Sequence, residues 1–272
     1  MERLDVWSSD GTPLAVWVEG QGPPLVLVHG SFRDHTTFEP LLAELRTGAT
    51  TYAMDRRGFG GSGDAPAYAI EREFEDVAAV ADAVAARTGS PVALFGHSFG
   101  ASCVLGGAEL SAAVDHLIAY EPSLGIAYPP GSIDAVAAMI DRGDVEDAIV
   151  RILVEMLGLD DDAIAALRAG PQWPSLLAAG PTVVRECRAE DSWADRPFRG
   201  VTAATLLLTG SASPPAVTDA TRRAAAAING AEVLVLDGHA HFAHKDDPAM
   251  IADVVLRFVR GRRPQRSTAT AG

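Results

Sequence analysis

Gly96-His97-Ser98-Phe99-Gly100 sets one serine between two glycines, each two residues away. A serine hydroxyl is a weak nucleophile at neutral pH, and it attacks a carbonyl only if a base takes its proton. Three histidines far along the chain, His239, His241 and His244, offer such a base. G-x-S-x-G has mechanical meaning where a strand hands over to a helix: the turn is strained and holds the hydroxyl above the sheet edge. The flanking residues fit that setting, because Pro91 to Phe95 reads as a short buried strand and Ala101 to Leu110 as a helix of small residues. The plainer role for Ser98 is a helix N-cap. The plainer alternative for the histidines is a metal cluster, but no carboxylate or cysteine stands beside them at ligand spacing.

The elements that would carry these residues alternate. Arg3 to Trp7 and Leu14 to Val18 read as a hairpin around Ser9-Asp10-Gly11. Leu25 to Val28, Thr50 to Met54, Pro91 to Phe95 and His116 to Tyr120 read as buried strands. Phe38 to Leu45 and Glu71 to Arg87 have helical period, the latter with Phe74, Val77, Val80, Ala81 and Val84 on one side. Strand–helix alternation predicts a mostly parallel sheet with helices on both faces and its ligands at the carboxyl ends of the strands. The pattern stops after Glu121-Pro122. Ser132 to Arg188 contains no convincing strand, with helices expected over Ile133 to Arg142, Val145 to Gly158 and Asp160 to Ala169, interrupted by Pro171, Pro174 and Pro181. It resumes with strand Thr205 to Leu208, helix Ala216 to Ile228, strand Glu232 to Leu236 and helix Pro248 to Val259. A helical insertion of this length at the ligand-bearing edge reads as a lid.

The bulk properties exclude several classes. The 272 residues are 48% hydrophobic and 21% charged, enough for a buried core. The formal net charge of −14 argues against nucleic acid and against an anionic membrane as partners. Cys103 and Cys187 form no Cys-x-x-Cys motif and read as free thiols of a reducing compartment. MERLDVWSSDG has no apolar signal core, and no run is long enough to span a membrane, so a cytoplasmic protein is expected.

Four features in order resemble the α/β-hydrolases with a helical cap: His29-Gly30 after a strand, the loop Asp55 to Gly63, the Ser98 turn, and a histidine after the final strand. The resemblance implies an eight-stranded, mostly parallel sheet. It divides the chain into core residues 1–122, a cap over 123–200, core residues 201–260 and a disordered tail over 261–272. It makes Ser98 the nucleophile. It selects His241 as the base, because Gly238 and Pro248 frame it as in the family pattern, leaving His239 and His244 as surface or lid-contacting residues. The usual acid position, after Thr205 to Leu208, is occupied by Ser213, and a neutral serine cannot steady an imidazolium as a carboxylate does. Some relatives carry the acid one strand earlier, which implies Glu121; Asp219 is the second choice, and Asp237 stands too close to His241 in the chain. The oxyanion donors implied are the backbone N–H groups of Ser31 and Phe99. Phe32, Phe99, His97, Trp173 and Trp193 are expected to line the pocket, and His35 to lie at the surface or, as the second reading, in the pocket. Arg56 and Arg57 are expected to bridge loop carbonyls rather than bind an anion. No cofactor or metal is implied. The expected activity is hydrolysis of a small, fairly hydrophobic carboxylic ester or lactone. The same residues in relatives also support cofactor-free perhydrolase, haloperoxidase or C–C hydrolase chemistry, or a receptor without turnover. Epoxide hydrolases and dehalogenases use aspartate where Ser98 stands.

Overall fold

The computed structural model describes residues 1–123, 125, 128–155, 159–170, 172–192 and 198–261. In chain order the core elements are β1 (Glu2–Trp7), β2 (Pro13–Gly20), β3 (Pro24–Val28), α1 (Glu39–Leu45), β4 (Thr50–Met54), α2 (Ile70–Thr88), β5 (Val92–His97), α3 (Phe99–Leu110) and β6 (Val114–Tyr120). Five helices follow: α4 (Ser132–Asp141), α5 (Val145–Glu155), α6 (Asp161–Ala169), α7 (Trp173–Ala178) and α8 (Gly180–Ser192). The core then resumes with β7 (Ala204–Gly210), α9 (Pro215–Ala227), β8 (Glu232–Leu236), α10 (Ala243–Asp246) and α11 (Pro248–Val259). The eight strands form one sheet in the order β1-β2-β4-β3-β5-β6-β7-β8. β1 and β2 are antiparallel to their neighbours, and the six strands from β4 to β8 run parallel.

Alternation along the strands fills two cores. Val26, Val28 and Leu94 pack with α2 and α3, while Leu25, Leu27, Ala93 and Phe95 pack with α1 and α11 on the opposite face. The helix after the serine begins at Phe99, two residues earlier than expected, because Ser98 itself makes the whole turn. Its small residues let α3 press against α2. A Cβ on Gly106 would lie 2.2 Å from ring carbons of Phe74, a fully packed side chain that cannot give way. Gly106→Ala is therefore expected to cost about 2–3 kcal/mol by overpacking, read as a lower urea midpoint at unchanged slope.

The helices between β6 and β7 have a core of their own, built from Ile149, Ile152, Leu153, Leu176 and Val183, and it also takes in Phe32 and Phe59 from core loops. α7 and α8 were not expected. Pro174 and Pro181 stand in the first turns of these helices, where a missing N–H costs nothing, so they start helices rather than interrupt them. No helix among the described residues is long and apolar enough to cross a membrane.

Where the insertion leaves the core, Tyr128 hydrogen-bonds Glu190 on α8 and the Gly125 amide donates to the Glu190 carbonyl at 2.9 Å. Burial pushes the Glu190 carboxyl up to about 7, against lowering by Ser123 and Tyr128. A raised acid pKa stabilises the fold fully below the unfolded value near 4.5, and that stability is lost as pH rises toward 7. Glu190→Gln, which mimics the protonated acid, is expected to remove a loss on the order of 3 kcal/mol between pH 4.5 and 8. Denaturation midpoints of both proteins across that range test this.

Candidate active site

The register of the parallel strands aligns their carboxyl ends. His97 pairs with Tyr120, and Tyr120 with Leu208. Ser98 and Glu121 are the next residues on adjacent strands: the Ser98 amide donates to the Tyr120 carbonyl at 2.9 Å, and the Glu121 amide to the Leu208 carbonyl at 3.0 Å. Among the described residues only Phe32, Ser98 and Glu121 are non-glycine residues with positive φ, at 61°, 57° and 50°. All three stand on loops leaving β3, β5 and β6 at this one edge. Each such conformation costs of order 1–3 kcal/mol, so the backbone strain of the fold is concentrated here.

The turn at Ser98 explains its two glycines. A Cβ on Gly96 would lie 2.4 Å from the Gly100 carbonyl oxygen, and one on Gly100 would lie 2.3 Å from that of Val28. The loop after β3 comes equally close, since a Cβ on Gly30 would sit 2.9 Å from Ser98 Cβ. That loop is held by His29, whose Nδ1–H donates to the Gly30 carbonyl at 2.8 Å while Nε2 accepts the Arg56 amide at 3.0 Å. Burial, then the Arg56 cation, pushes His29 down to about 3, so it stays neutral and keeps that tautomer.

His241 Nδ1 donates to Glu121 Oε2 at 2.6 Å. The other oxygen, Oε1, accepts the Gly210 amide at 2.7 Å, the Ser213 hydroxyl at 2.5 Å and the Thr209 hydroxyl at 3.1 Å. Burial raises the Glu121 pKa, but these donors outweigh it and the net shift is downward. Glu121 is therefore a buried carboxylate with both oxygens hydrogen-bonded, Oε2 by His241 and Oε1 by three donors. Ser213 is one of its donors, a contact across 92 residues that no local sequence signal foretells.

Other side chains depart from expectation. His97 is buried and its Nε2 donates to the His241 carbonyl at 2.7 Å, so it braces the histidine loop instead of lining an open pocket. His244 is fully buried against Phe38 and His97 and does not lie at the surface. Trp173 lies in the core of the inserted helices, and Trp193 is outside the described residues. The Phe99 ring points into the sheet core with the Arg56 guanidinium 4.6 Å from its centre. Arg56 pairs with Glu186 of α8, and Arg57 with Asp76 at 2.6 Å and Asp10 at 3.0 Å; carboxylates, not loop carbonyls, are their partners. His35 stacks on Trp17 and donates to Asp55 at 2.8 Å, turned inward rather than lying at the surface. Asp219 is exposed on α9 and pairs with Arg222, away from His241. Among the described residues no group of three His, Cys, Asp or Glu could hold a metal ion.

An eight-stranded sheet of this order, with a strained serine after β5, a carboxylate after β6 and a histidine after β8, defines an α/β-hydrolase fold. Residues 25–254 match the Alpha/beta hydrolase family, and the chain belongs to that family. It is similar to an α/β hydrolase from Sphaerobacter thermophilus, with 32% identity and a TM-score of 0.82 over 94% of this chain and 100% of that one. An enol-lactonase from Burkholderia xenovorans shares the fold, at 20% identity and a TM-score of 0.74 over 95% and 100% of the two chains. Among curated proteins, a 2-(acetamidomethylene)succinate hydrolase from Mesorhizobium japonicum is 25% identical over 90% of this chain and 91% of its own length.

Proposed function

We propose that this hydrolase cleaves a small, fairly hydrophobic carboxylic ester or lactone through an acyl-enzyme on Ser98. The observation that carries the reading is the 2.6 Å contact of His241 with a buried, ionised Glu121, one strand away from the strained Ser98. With Nδ1 held as a donor to Glu121, Nε2 is the nitrogen left to take the Ser98 proton as Oγ attacks the carbonyl. The Ser31 and Phe99 amides supply the oxyanion site; Phe99 is the first residue of α3, whose amide has no partner within the helix. Nε2–H then protonates the leaving alkoxide, and a water activated by the same nitrogen releases the acid and regenerates the serine. The helices α4–α8 act as the cap, and their apolar core favours an apolar body for the substrate.

A fluorophosphonate probe and a panel of 4-nitrophenyl esters and lactones test this. The expected result is a covalent adduct on Ser98 and turnover of short-chain esters. Absence of both an adduct and turnover across the panel would overturn the reading.

A further inference from the structure

Ser98 and Glu121 are set directly by strand ends, but His241 is not. It lies in the stretch 237–242 between β8 and α10, and β7 separates β8 from the strand that carries Glu121. The bond to Glu121 fixes one atom of its ring, and the side chain is 23% exposed, so packing does not immobilise the rest. Three successive carbonyls of this stretch each accept a hydrogen bond from a different strand end. The His239 carbonyl accepts the Ala212 amide, just past β7, at 2.9 Å. The Ala240 carbonyl accepts the hydroxyl of Tyr120, the last residue of β6. The His241 carbonyl accepts Nε2–H of His97, the last residue of β5, at 2.7 Å. The stretch therefore crosses the carboxyl ends of β7, β6 and β5 in turn, one carbonyl to a strand. The approach is close: a Cβ on Gly210 would lie 2.2 Å from the His239 carbonyl oxygen.

Two of the three donors are side chains, and strand alternation explains why they reach. Phe95 and Ile118 pack on the face covered by α1 and α11. Residues two further along a strand point the same way, so His97 and Tyr120 rise on that face toward the chain entering α10. The two are register partners, with ring centres 5.3 Å apart. The Tyr120 hydroxyl also accepts the amide of Ala243, the first residue of α10, at 3.2 Å. The His97 ring centre lies 4.5 Å from that of His241. Burial, then His244 and His241, holds His97 well below the ordinary histidine range. It stays a neutral donor and sets no charge against an imidazolium forming on His241.

We propose that His97 and Tyr120, the residues immediately before Ser98 and Glu121, are positioning residues that clamp the backbone of the histidine stretch and so aim His241 Nε2 at Ser98. This rests on the reading of Ser98, Glu121 and His241 as nucleophile, acid and base, and adds what fixes the third of them. One strand supplies the nucleophile and a clamp, and its neighbour supplies the acid and a clamp. Glu121 sets the tautomer and one ring atom, while the two clamps set where the ring starts from.

The test uses Tyr120→Phe, His97→Phe and His97→Gln, each shown by urea unfolding to be folded in the assay. The phenylalanines keep a ring and remove the donor, and the glutamine keeps an N–H near the position of Nε2. A misplacement of about 1 Å can cost on the order of 100-fold. Both phenylalanine variants are therefore expected to lower kcat for a 4-nitrophenyl ester by about 10–100-fold, with KM within about twofold of the wild type. His97→Gln is expected to recover at least half of the lost activity on a logarithmic scale. A purely structural role would lower the urea midpoint and leave kcat of the folded enzyme unchanged. A kcat within about threefold of the wild type in both phenylalanine variants overturns the clamp and leaves the hydrolase reading intact. Equal losses in His97→Phe and His97→Gln overturn the carbonyl contact as the cause. Tyr120→Phe deletes a single oxygen and carries the test alone if His97→Phe does not fold. If no ester is turned over, the hydrolase reading fails by itself, and the proton resonance of His241 Nδ1–H, identified by its loss in His241→Ala, decides the clamp. Broadening of that resonance by solvent exchange in Tyr120→Phe supports the clamp, and an unchanged resonance overturns it.

Discussion

Ser98→Ala is expected to lower kcat for 4-nitrophenyl esters by on the order of 10⁴–10⁶-fold and to abolish the fluorophosphonate adduct. The size follows from what the hydroxyl does. Without Oγ there is no acyl-enzyme, and only binding and the oxyanion amides remain to act on direct attack by water. The loss must be accompanied by an intact fold, and the backbone supplies an internal check. Ser98 has φ 57° and ψ −125°, a region that penalises any Cβ. Alanine keeps that penalty, so the alanine variant is expected to unfold at the wild-type midpoint. Ser98→Gly removes it and is expected to gain about 1 kcal/mol while losing the same activity. An inactive, more stable glycine variant would tie the strain to the nucleophile's presentation. Full labelling of the alanine variant would move the nucleophile elsewhere.

What could be read from the chain, and what could not, follows from distance along it. Ser98 was legible because its strand, turn and helix lie within a score of residues and the glycines are required by contacts among them. The strand count of eight came only through resemblance, and the strand order not at all, but the strand runs Leu25 to Val28 and Glu232 to Leu236 were plain from composition. The contacts that complete the site span the chain and leave no local trace. His241 reaches Glu121 across 120 residues, Ser213 reaches the same carboxylate across 92, and Arg56 meets Glu186 across 130. His244 was misread because a four-residue helix is too short for a period to tell its buried face from its exposed one. Pro174 and Pro181 were misread because proline has two meanings in helices, and only the position of the first turn distinguishes them.

Glu121→Gln is expected to lower kcat by on the order of 10³–10⁴-fold with little change in KM. Charge is one reason, since the carboxylate stabilises the imidazolium that forms as Ser98 attacks. Tautomer is the other. Oε1 of Glu121 accepts from the Gly210 amide and from two hydroxyls, so a glutamine at this position must turn its carbonyl oxygen toward them. Its NH₂ group then faces His241 Nδ1, which has to accept. The ring proton moves to Nε2, the atom that must take the serine proton, and the base is lost. The same network sets a rescue. Ser213 Oγ sits 2.5 Å from Glu121 Oε1, so a carboxylate carried at residue 213 reaches the place the glutamate oxygens leave. Glu121→Ala combined with Ser213→Asp is expected to recover at least about tenfold of the activity lost in Glu121→Ala alone, a recovery worth the charge-assisted bond it restores. Recovery would establish that His241 needs a carboxylate at this point in space and is indifferent to which strand end supplies it. An unchanged rate in Glu121→Gln would take the orienting role away from Glu121 altogether.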